Sequence, residues 1–169
     1  MLADIGETCF ERLNIDDCDD WKKEQWEQSS VLFDAFFKYL KEEKGLKEEI
    51  AGQKTNMAVF FVMDFLFVYY DAAEDIRNVD DYAIKTFLGN WYIRKFMSPK
   101  VTEMNKFLRA IADFYTFLQK RGFIGKDCLR EIKETCKDKE WFAQRLKSYF
   151  DTTEDEFEDW IDEYDYRMM

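Results

Sequence analysis

The sequence contains no histidine, one proline and six glycines in 169 residues. The absence of histidine removes the side chain that most often serves as a general base near neutral pH. Because so few turn-forming residues are present, the composition favours long helices over a sheet of many strands. The phosphate-binding glycine motifs GxxxxGK[ST] and GxGxxG are also absent from the sequence. We therefore expect a helical protein that is not an enzyme.

The four cysteines form no CxxC pair, and they are Cys9, Cys18, Cys128 and Cys136. Without histidine, a zinc site would need all four thiolates at unusual spacings. An acidic cluster begins at Asp16, but a calcium loop starting there would need glycine at its sixth position, where Trp21 stands. We expect no metal and no cofactor. No secretory signal pattern opens the chain, so we expect reduced thiols and a cytoplasmic location.

The longest apolar run is MAVFFVMDFLFVYY, residues 57–70, and it carries Asp64 in its middle. Its 14 residues are fewer than the roughly 20 that a membrane-spanning helix needs. The run therefore predicts a buried central helix with Asp64 at its edge or paired with a cation, and no association with a membrane. Aromatic residues make up 18% of the chain, enough for a substantial core.

The pattern of apolar residues predicts an all-α fold, a compact bundle of two helical hairpins with a fifth helix and a short acidic C-terminal helix. Over a single helical domain, residues 1–169, we expect four parts. They are an acidic arm at 1–20, a four-helix core at 29–124, a fifth helix at 125–150 and an acidic amphipathic tail at 151–169.

Residues that commonly cap or end helices predict where the helices of this bundle begin and end. We expect the first hairpin to run from Ser29 or Ser30 to Gly45, and then from Thr55 or Asn56 to about Ala73. The second hairpin should run from Asp80 to Phe96, and then from a Ser98 cap with Pro99 at the first helical position to Gly122. The fifth helix should be capped by Asp127, and a phase slip between Cys136 and Phe142 predicts a kink or two pieces.

The acidic tail carries signals of its own. Thr153 and Glu156 have the spacing of a capping box. The four apolar residues that follow share one helical face, and they are Phe157, Trp160, Ile161 and Tyr164. We expect a short amphipathic helix that docks, either on the protein's own core or on a partner.

Charge is distributed unevenly along the chain. The formal net charge is −11, yet residues 1–20 carry −6 and residues 150–169 carry −8, which leaves +3 for the middle. Within that middle, residues 94–147 contain 14 cations and seven acids, a local charge of +7. A basic surface attracts phosphates, and acidic segments repel them or occupy the same surface. The cations could equally be solvated helix faces without a ligand.

Residues 79–124 read VDDYAIKTFLGNWYIRKFMSPKVTEMNKFLRAIADFYTFLQKRGFI. A helix with an FLxxW pattern, a Ser-Pro hinge and a long helix ending in FYTFL resemble the core-binding (SAM-like) domain of tyrosine recombinases and phage integrases. The preceding FFKYLKEEKGL resembles that domain's first helix, so the similarity covers about 29–124. The chain also looks like small stand-alone prokaryotic proteins that carry this pattern.

This resemblance implies a four-helix module that clamps the DNA backbone. Recombination chemistry belongs to a separate catalytic domain with a tyrosine nucleophile, arginines and histidines. Only 45 residues follow residue 124, and none is histidine. Tyr164 and Tyr166 are therefore not assigned as nucleophiles.

Two functions follow as hypotheses. The first is a non-catalytic module that binds nucleic acid, through phosphate contacts rather than base contacts. Its candidate contacts are Arg94, Lys95, Lys106, Arg109, Lys120 and Arg121. The alternative is a protein-interaction or regulatory protein, whose acidic ends mask the basic surface or bind a basic partner. The sequence indicates no small-molecule substrate and leaves the oligomeric state open.

Overall fold

The computed structural model describes residues 9–10, 20–70 and 75–165. The acidic arm predicted at 1–20 lies outside this part of the chain except for residues 9, 10 and 20, and so does the predicted helix end near Ala73. Within the described ranges the regular structure is helical, without a β-strand, and the all-α prediction is confirmed. The helices are α1 (Asp20–Lys38), α2 (Glu48–Val59), α3 (Asp81–Thr86), α4 (Tyr92–Lys95), α5 (Val101–Lys120), α6 (Lys126–Lys137), α7 (Lys139–Asp151) and α8 (Phe157–Asp162).

Three π-helical segments extend or join these helices. Tyr39–Glu43 continues α1, Phe60–Phe67 continues α2, and Phe87–Trp91 joins α3 to α4. The last two segments pack on each other through aromatic rings, with 5.0 Å between the ring centroids of Phe61 and Phe87. Short 3₁₀ helices are present at Ile76–Asn78 and Glu154–Glu156.

The first hairpin differs from the prediction at both helix starts. Ser29 and Ser30 are not caps, because α1 begins at Asp20 and carries Ser29 buried in its interior. Thr55 and Asn56 are likewise inside α2, which begins at Glu48 after extended Lys47. Acidic side chains in the first turn of α2 complement the helix dipole where no side-chain cap is present. The predicted end at Gly45 is confirmed, since its φ of +66° suits glycine.

In the second hairpin, the prediction that Asp80 is a cap is confirmed. The Asp80 carboxylate accepts a hydrogen bond of 2.9 Å from the Ala83 N–H. The prediction that Ser98 caps the next helix is wrong. Lys100 occupies the cap position, and α5 begins at Val101. The backbone N–H of Lys100 donates to the hydroxyl of Tyr92 at 3.3 Å, which ties the start of α5 to the preceding helix. Gly122 ends α5 with a φ of +80°.

The core is centred on the apolar run predicted to be buried. Phe61 and Phe65 are fully buried, while Asp64 lies on the exposed edge of the same π-helical segment. Helix α2 packs along α5, and α5 packs in turn along α6. The apolar face of α5, with nine buried residues, is therefore covered from both sides, and cations such as Lys106 and Arg109 lie at the protein surface.

The fifth helix consists of two pieces, one of the two outcomes that the phase slip predicted. Asp138 breaks the helix between α6 and α7, and its carboxylate accepts a hydrogen bond from the Trp141 N–H at 3.2 Å. The predicted Asp127 cap is wrong, because Gly125 holds the cap position of α6. Asp127 lies in the first turn instead and pairs with Arg130 at 2.7 Å.

The acidic tail folds as predicted in its first turns. Thr153 and Glu156 form the capping box, and α8 follows it. Trp160 is buried, whereas 37% of Phe157 remains exposed. Among the described helices, none combines the length and apolar character that crossing a membrane would require.

Candidate nucleic-acid interface

The six cations predicted to contact nucleic acid occupy three separate places. Arg94 and Lys95 end α4, Lys106 and Arg109 lie in the first half of α5, and Lys120 and Arg121 lie at its end. The structure therefore does not unite all six in one contact surface. Each place has its own neighbours, and these decide which cations are free to meet a phosphate.

Arg94 is held by the protein itself. Its Nε donates to the Asn90 side-chain oxygen at 2.7 Å, and one terminal nitrogen donates to the Tyr69 hydroxyl at 3.1 Å. The same nitrogen lies 3.6 Å from the carboxylate of Asp165, which is 3% exposed. Arg94 thus anchors the acidic tail at Asp165. Lys95, the next residue, is exposed.

At the far end of α5, Arg121 forms an ion pair with Glu43 and lies over the ring of Phe117. The hydrogen bond from Arg121 lowers the pKa of the Glu43 carboxyl. Lys120 lies over the ring of Tyr39, with its nitrogen 5.4 Å from the ring centroid. These two cations pack the π-helical end of α1 against α5.

In the first half of α5 the two candidates differ. Lys106 is exposed but pairs with Glu103 at 2.6 Å, one turn earlier on the same helix. Arg109 forms no ion pair with any described carboxylate and lines a groove between α5 and the junction of α6 with α7. Of the six predicted contacts, Arg109 and Lys95 form no ion pair within the described residues, and Arg109 is the one that lines the groove.

We call this feature the basic groove, and its volume is 380 Å³. Four of its lining residues are cations and none is a carboxylate. The cationic lining is Arg109, Lys133, Lys137 and Lys139, and the apolar lining is Leu108, Ala112 and Cys136. Within the described part of the chain, none of these four cations has an ion-pair partner. The groove is consequently a place where uncompensated positive charge surrounds an apolar floor.

Helix α6 extends the groove with a cationic stripe that the sequence reading did not select. Its members follow the helical steps i, i+4, i+7 and i+11, and they are Lys126, Arg130, Lys133 and Lys137. All of them line a shallow depression beside the groove, together with Leu129 and Glu134. The regular spacing was available in the sequence, but the stripe meets Arg109 and Lys139 only through the packing of α6 on α5.

Cys136 lies in the floor of the groove, close to several cations. Cations usually favour the thiolate, yet burial raises the pKa of Cys136 to about 12. Burial also raises the pKa of Cys128, on the same helix. Both thiols therefore stay protonated near neutral pH. In the groove, Cys136 is an apolar contact surface and not a nucleophile.

The acidic tail docks away from the basic groove. Arg145 of α7, which is 7% exposed, donates to the carbonyl oxygens of Gly89 and Trp160 and to the Glu163 carboxylate. The buried Asn90 amide donates to the carbonyl oxygen of Ile161 at 2.6 Å. Contacts of α8 thus run to α7 and to the π-helical segment Phe87–Trp91.

Three of the four predicted docking residues join this contact. The Trp160 indole donates to the Ser148 hydroxyl at 2.9 Å, and Tyr164 packs edge-on against Trp141. Ile161 packs against the core, whereas Phe157 contacts the Tyr149 ring and remains 37% exposed. Burial lowers the pKa of the Arg145 guanidinium, and the nearby Glu163 carboxylate opposes that shift.

Among the described residues, no group of three or more cysteine and acidic side chains is arranged to hold a metal ion. No family model matches the chain, and no curated protein or solved structure is significantly similar to it. The resemblance to the recombinase core-binding domain thus stays a prediction from the sequence pattern.

Proposed function

We propose that the protein is a non-catalytic module that binds the phosphate backbone of nucleic acid through the basic groove. The observation that carries this proposal is the groove's lining of four cations without a carboxylate. Neutralising phosphates releases counterions from the nucleic acid, and this release is the main source of affinity for such a surface. A helical module that clamps the DNA backbone is also what the resemblance to the recombinase core-binding domain implies.

The dimensions of the cationic stripe suit a strand of phosphates. From Lys126 to Lys137 the helix rises about 16 Å, at about 1.5 Å per residue. Consecutive phosphates of one strand are farther apart than their rise of about 3.4 Å along the duplex axis, so the stripe can follow several of them but fewer than five. Two carboxylates lie beside the stripe. Glu134 lines the same depression as Lys133 and Lys137, and Asp127 pairs with Arg130 at 2.7 Å.

The groove is suited to contacts that tolerate any sequence. Its lining contains no asparagine or glutamine, the side chains that pair with adenine edges. It also contains no aromatic ring on which an unpaired base could stack. We therefore expect the protein to bind a duplex at least as tightly as a single strand of the same length.

The test is fluorescence anisotropy with a labelled duplex and the matching single strand, titrated at several salt concentrations. Four phosphate contacts should give a log–log slope of the duplex association constant against salt of about −3.6. The double variant Lys133→Glu/Lys137→Glu should lose binding. The matched control Lys38→Glu/Lys47→Glu changes the net charge equally at exposed positions elsewhere, and it should lose much less.

A second pair of variants localises the contact on α5. Arg109→Ala should weaken binding, whereas Lys106→Ala should not, because Lys106 is paired with Glu103 and does not line the groove. Absence of binding to both nucleic acids at about 50 mM salt, where screening is weak, would overturn the proposal. An equal loss in the groove variant and its control would show that net charge, rather than the groove, governs binding.

A further inference from the structure

A second surface of the protein is apolar, exposed and surrounded by negative charge. Phe150 is 65% exposed and Phe157 is 37% exposed, and both rings pack on Tyr149 with centroid distances of 5.4 and 6.0 Å. The neighbouring residues Asp151, Glu154 and Glu158 are exposed acids. We call Tyr149, Phe150 and Phe157, together with these acids, the acidic aromatic face.

The negative charge around this face is largely uncompensated within the molecule. Residues 150–165 contain nine acids and no lysine or arginine. Glu163 pairs with Arg145, and Asp165 pairs with Arg94. The other seven acids make no ion pair with a cation in the described part of the chain. The occupant of the acidic aromatic face should therefore be cationic and should offer an apolar surface to the two phenylalanines.

The protein carries a surface with both of these properties, the basic groove. Its four unpaired cations surround Leu108, Ala112 and Cys136. The acidic aromatic face does not fill the groove of its own molecule. Phe150 follows Lys139, which lines the groove, by 11 residues on helix α7, a rise of about 16 Å along the helix. The segment after Phe150 is fixed elsewhere, because Trp160 and Ile161 are bound to Ser148 and Asn90.

We propose that the acidic aromatic face of one molecule docks into the basic groove of a second copy of this chain. The two surfaces are complementary in charge, and each has an apolar centre. Because the interface joins two different surfaces, every dimer keeps one free groove and one free acidic face, so association continues into longer head-to-tail chains or a ring. The consequence for nucleic acid, which rests on the proposed function, is that a second copy and nucleic acid compete for the same groove, so each groove that a second copy occupies is closed to phosphates.

The test is sedimentation velocity of the full chain without nucleic acid, over a range of concentrations up to about 200 µM. Association should be strong at about 50 mM salt and lost at about 500 mM, because screening weakens contacts between exposed charges. The face variant Phe150→Ser/Phe157→Ser and the groove variant Lys133→Glu/Lys137→Glu should each sediment as monomers. The control Val31→Ser/Val68→Ser, which also replaces two exposed apolar side chains, should associate like the parent protein.

Mixing the two variants provides the decisive measurement. The groove variant keeps an intact face and the face variant keeps an intact groove, so an equimolar mixture should form a dimer that stops at two molecules. Dimer formation in the mixture also shows that both variants are folded. A parent protein that remains at its monomer mass of 20.6 kDa throughout, or a mixture that forms no dimer, would overturn the inference. The face variant retains the groove, so its binding to duplex DNA tests the proposed function independently.

Discussion

The guanidinium of Arg145 lies over the indole of Trp160, 3.8 Å from the ring centroid, and also donates to the Trp160 carbonyl oxygen. One side chain of α7 therefore holds both the ring and the backbone of the acidic tail. Its Nε donates to the Gly89 carbonyl oxygen at 3.0 Å. Arg145 thus joins α7 and α8 to the π-helical segment Phe87–Trp91, which is distant from both in the sequence, and the tail supplies part of its hydrogen-bond acceptors.

Replacing Trp160 should destabilise the protein as a whole rather than release a dispensable tail. Trp160→Ala removes a buried ring and exposes the Arg145 guanidinium, and such truncations typically cost about 3–5 kcal/mol. Phe157→Ala on the same helix should cost much less, because 37% of Phe157 is already exposed. Urea unfolding of both variants measures the difference. Equal losses for the two would contradict the packing described for α8.

Two glycines inside helical segments should respond oppositely to alanine. A Cβ atom at Gly89 would lie 2.7 Å from the Trp141 ring, which is itself packed between Phe142 and Tyr164. We expect Gly89→Ala to cost about 1–3 kcal/mol through overpacking. Gly52→Ala, inside α2 with no atom near the new methyl group, should stabilise the protein by about 0.5–1 kcal/mol. Thermal unfolding distinguishes these signs, and stabilisation by Gly89→Ala would contradict the close approach.

The helical class and the buried central run were predictable, because they depend on composition and on apolar periodicity along the chain. The helix starts were less predictable. Ser29 has the chemistry of a cap, but a cap contributes only about 1 kcal/mol, and the helix continues through it when upstream residues also favour helix. The π-helical segments depend on how aromatic rings of two segments pack together, which local sequence does not encode.

The candidate site was only partly predictable for a related reason. Arg109 could be selected from the basic stretch of sequence, and the spacing of the cations on α6 was equally readable. Their meeting in one groove depends on the packing of α6 against α5, which the periodicity of single helices leaves undetermined. The sequence does contain an indication that Arg145 is buried. It lies between Phe142 and Tyr149 on the apolar face of its helix.

Asp64 should make stability depend on pH in the acidic range. Burial raises the pKa of its carboxyl above the ordinary value for aspartate. The folded protein therefore binds this proton more tightly than the unfolded chain does, and ionisation of Asp64 at neutral pH opposes folding. Asp64→Asn should raise the free energy of unfolding at pH 7, and the gain should disappear once the pH falls below the pKa of the unfolded chain.

Denaturant unfolding of this variant at pH 7 and near pH 3 gives the comparison. The matched control is Asp34→Asn, an exposed acid on α1, whose change should be small at both pH values. The gain for Asp64→Asn should also be modest, because Asp64 lies on the exposed edge of its segment and solvent screens the effect. A loss of stability at pH 7 would show that the carboxylate has a favourable partner.

Trp160→Ala also separates two possible roles of the tail, because it weakens docking without changing the net charge. If the tail carboxylates covered the basic groove, undocking would raise the affinity for duplex DNA. The tail's ion pairs instead run from Glu163 to Arg145 and from Asp165 to Arg94, and neither cation lines the groove. We therefore expect the affinity of the folded variant to equal that of the parent protein.

The binding measurement requires conditions in which the variant stays folded, verified by circular dichroism on the same samples. Low protein concentration is also needed, so that contacts between copies do not compete with DNA. Asp165→Asn is a useful companion, because it frees Arg94 from its 3.6 Å contact while the Trp160 anchor remains. A several-fold rise in affinity for Trp160→Ala but not for Asp165→Asn would show that the tail masks the groove in its own molecule.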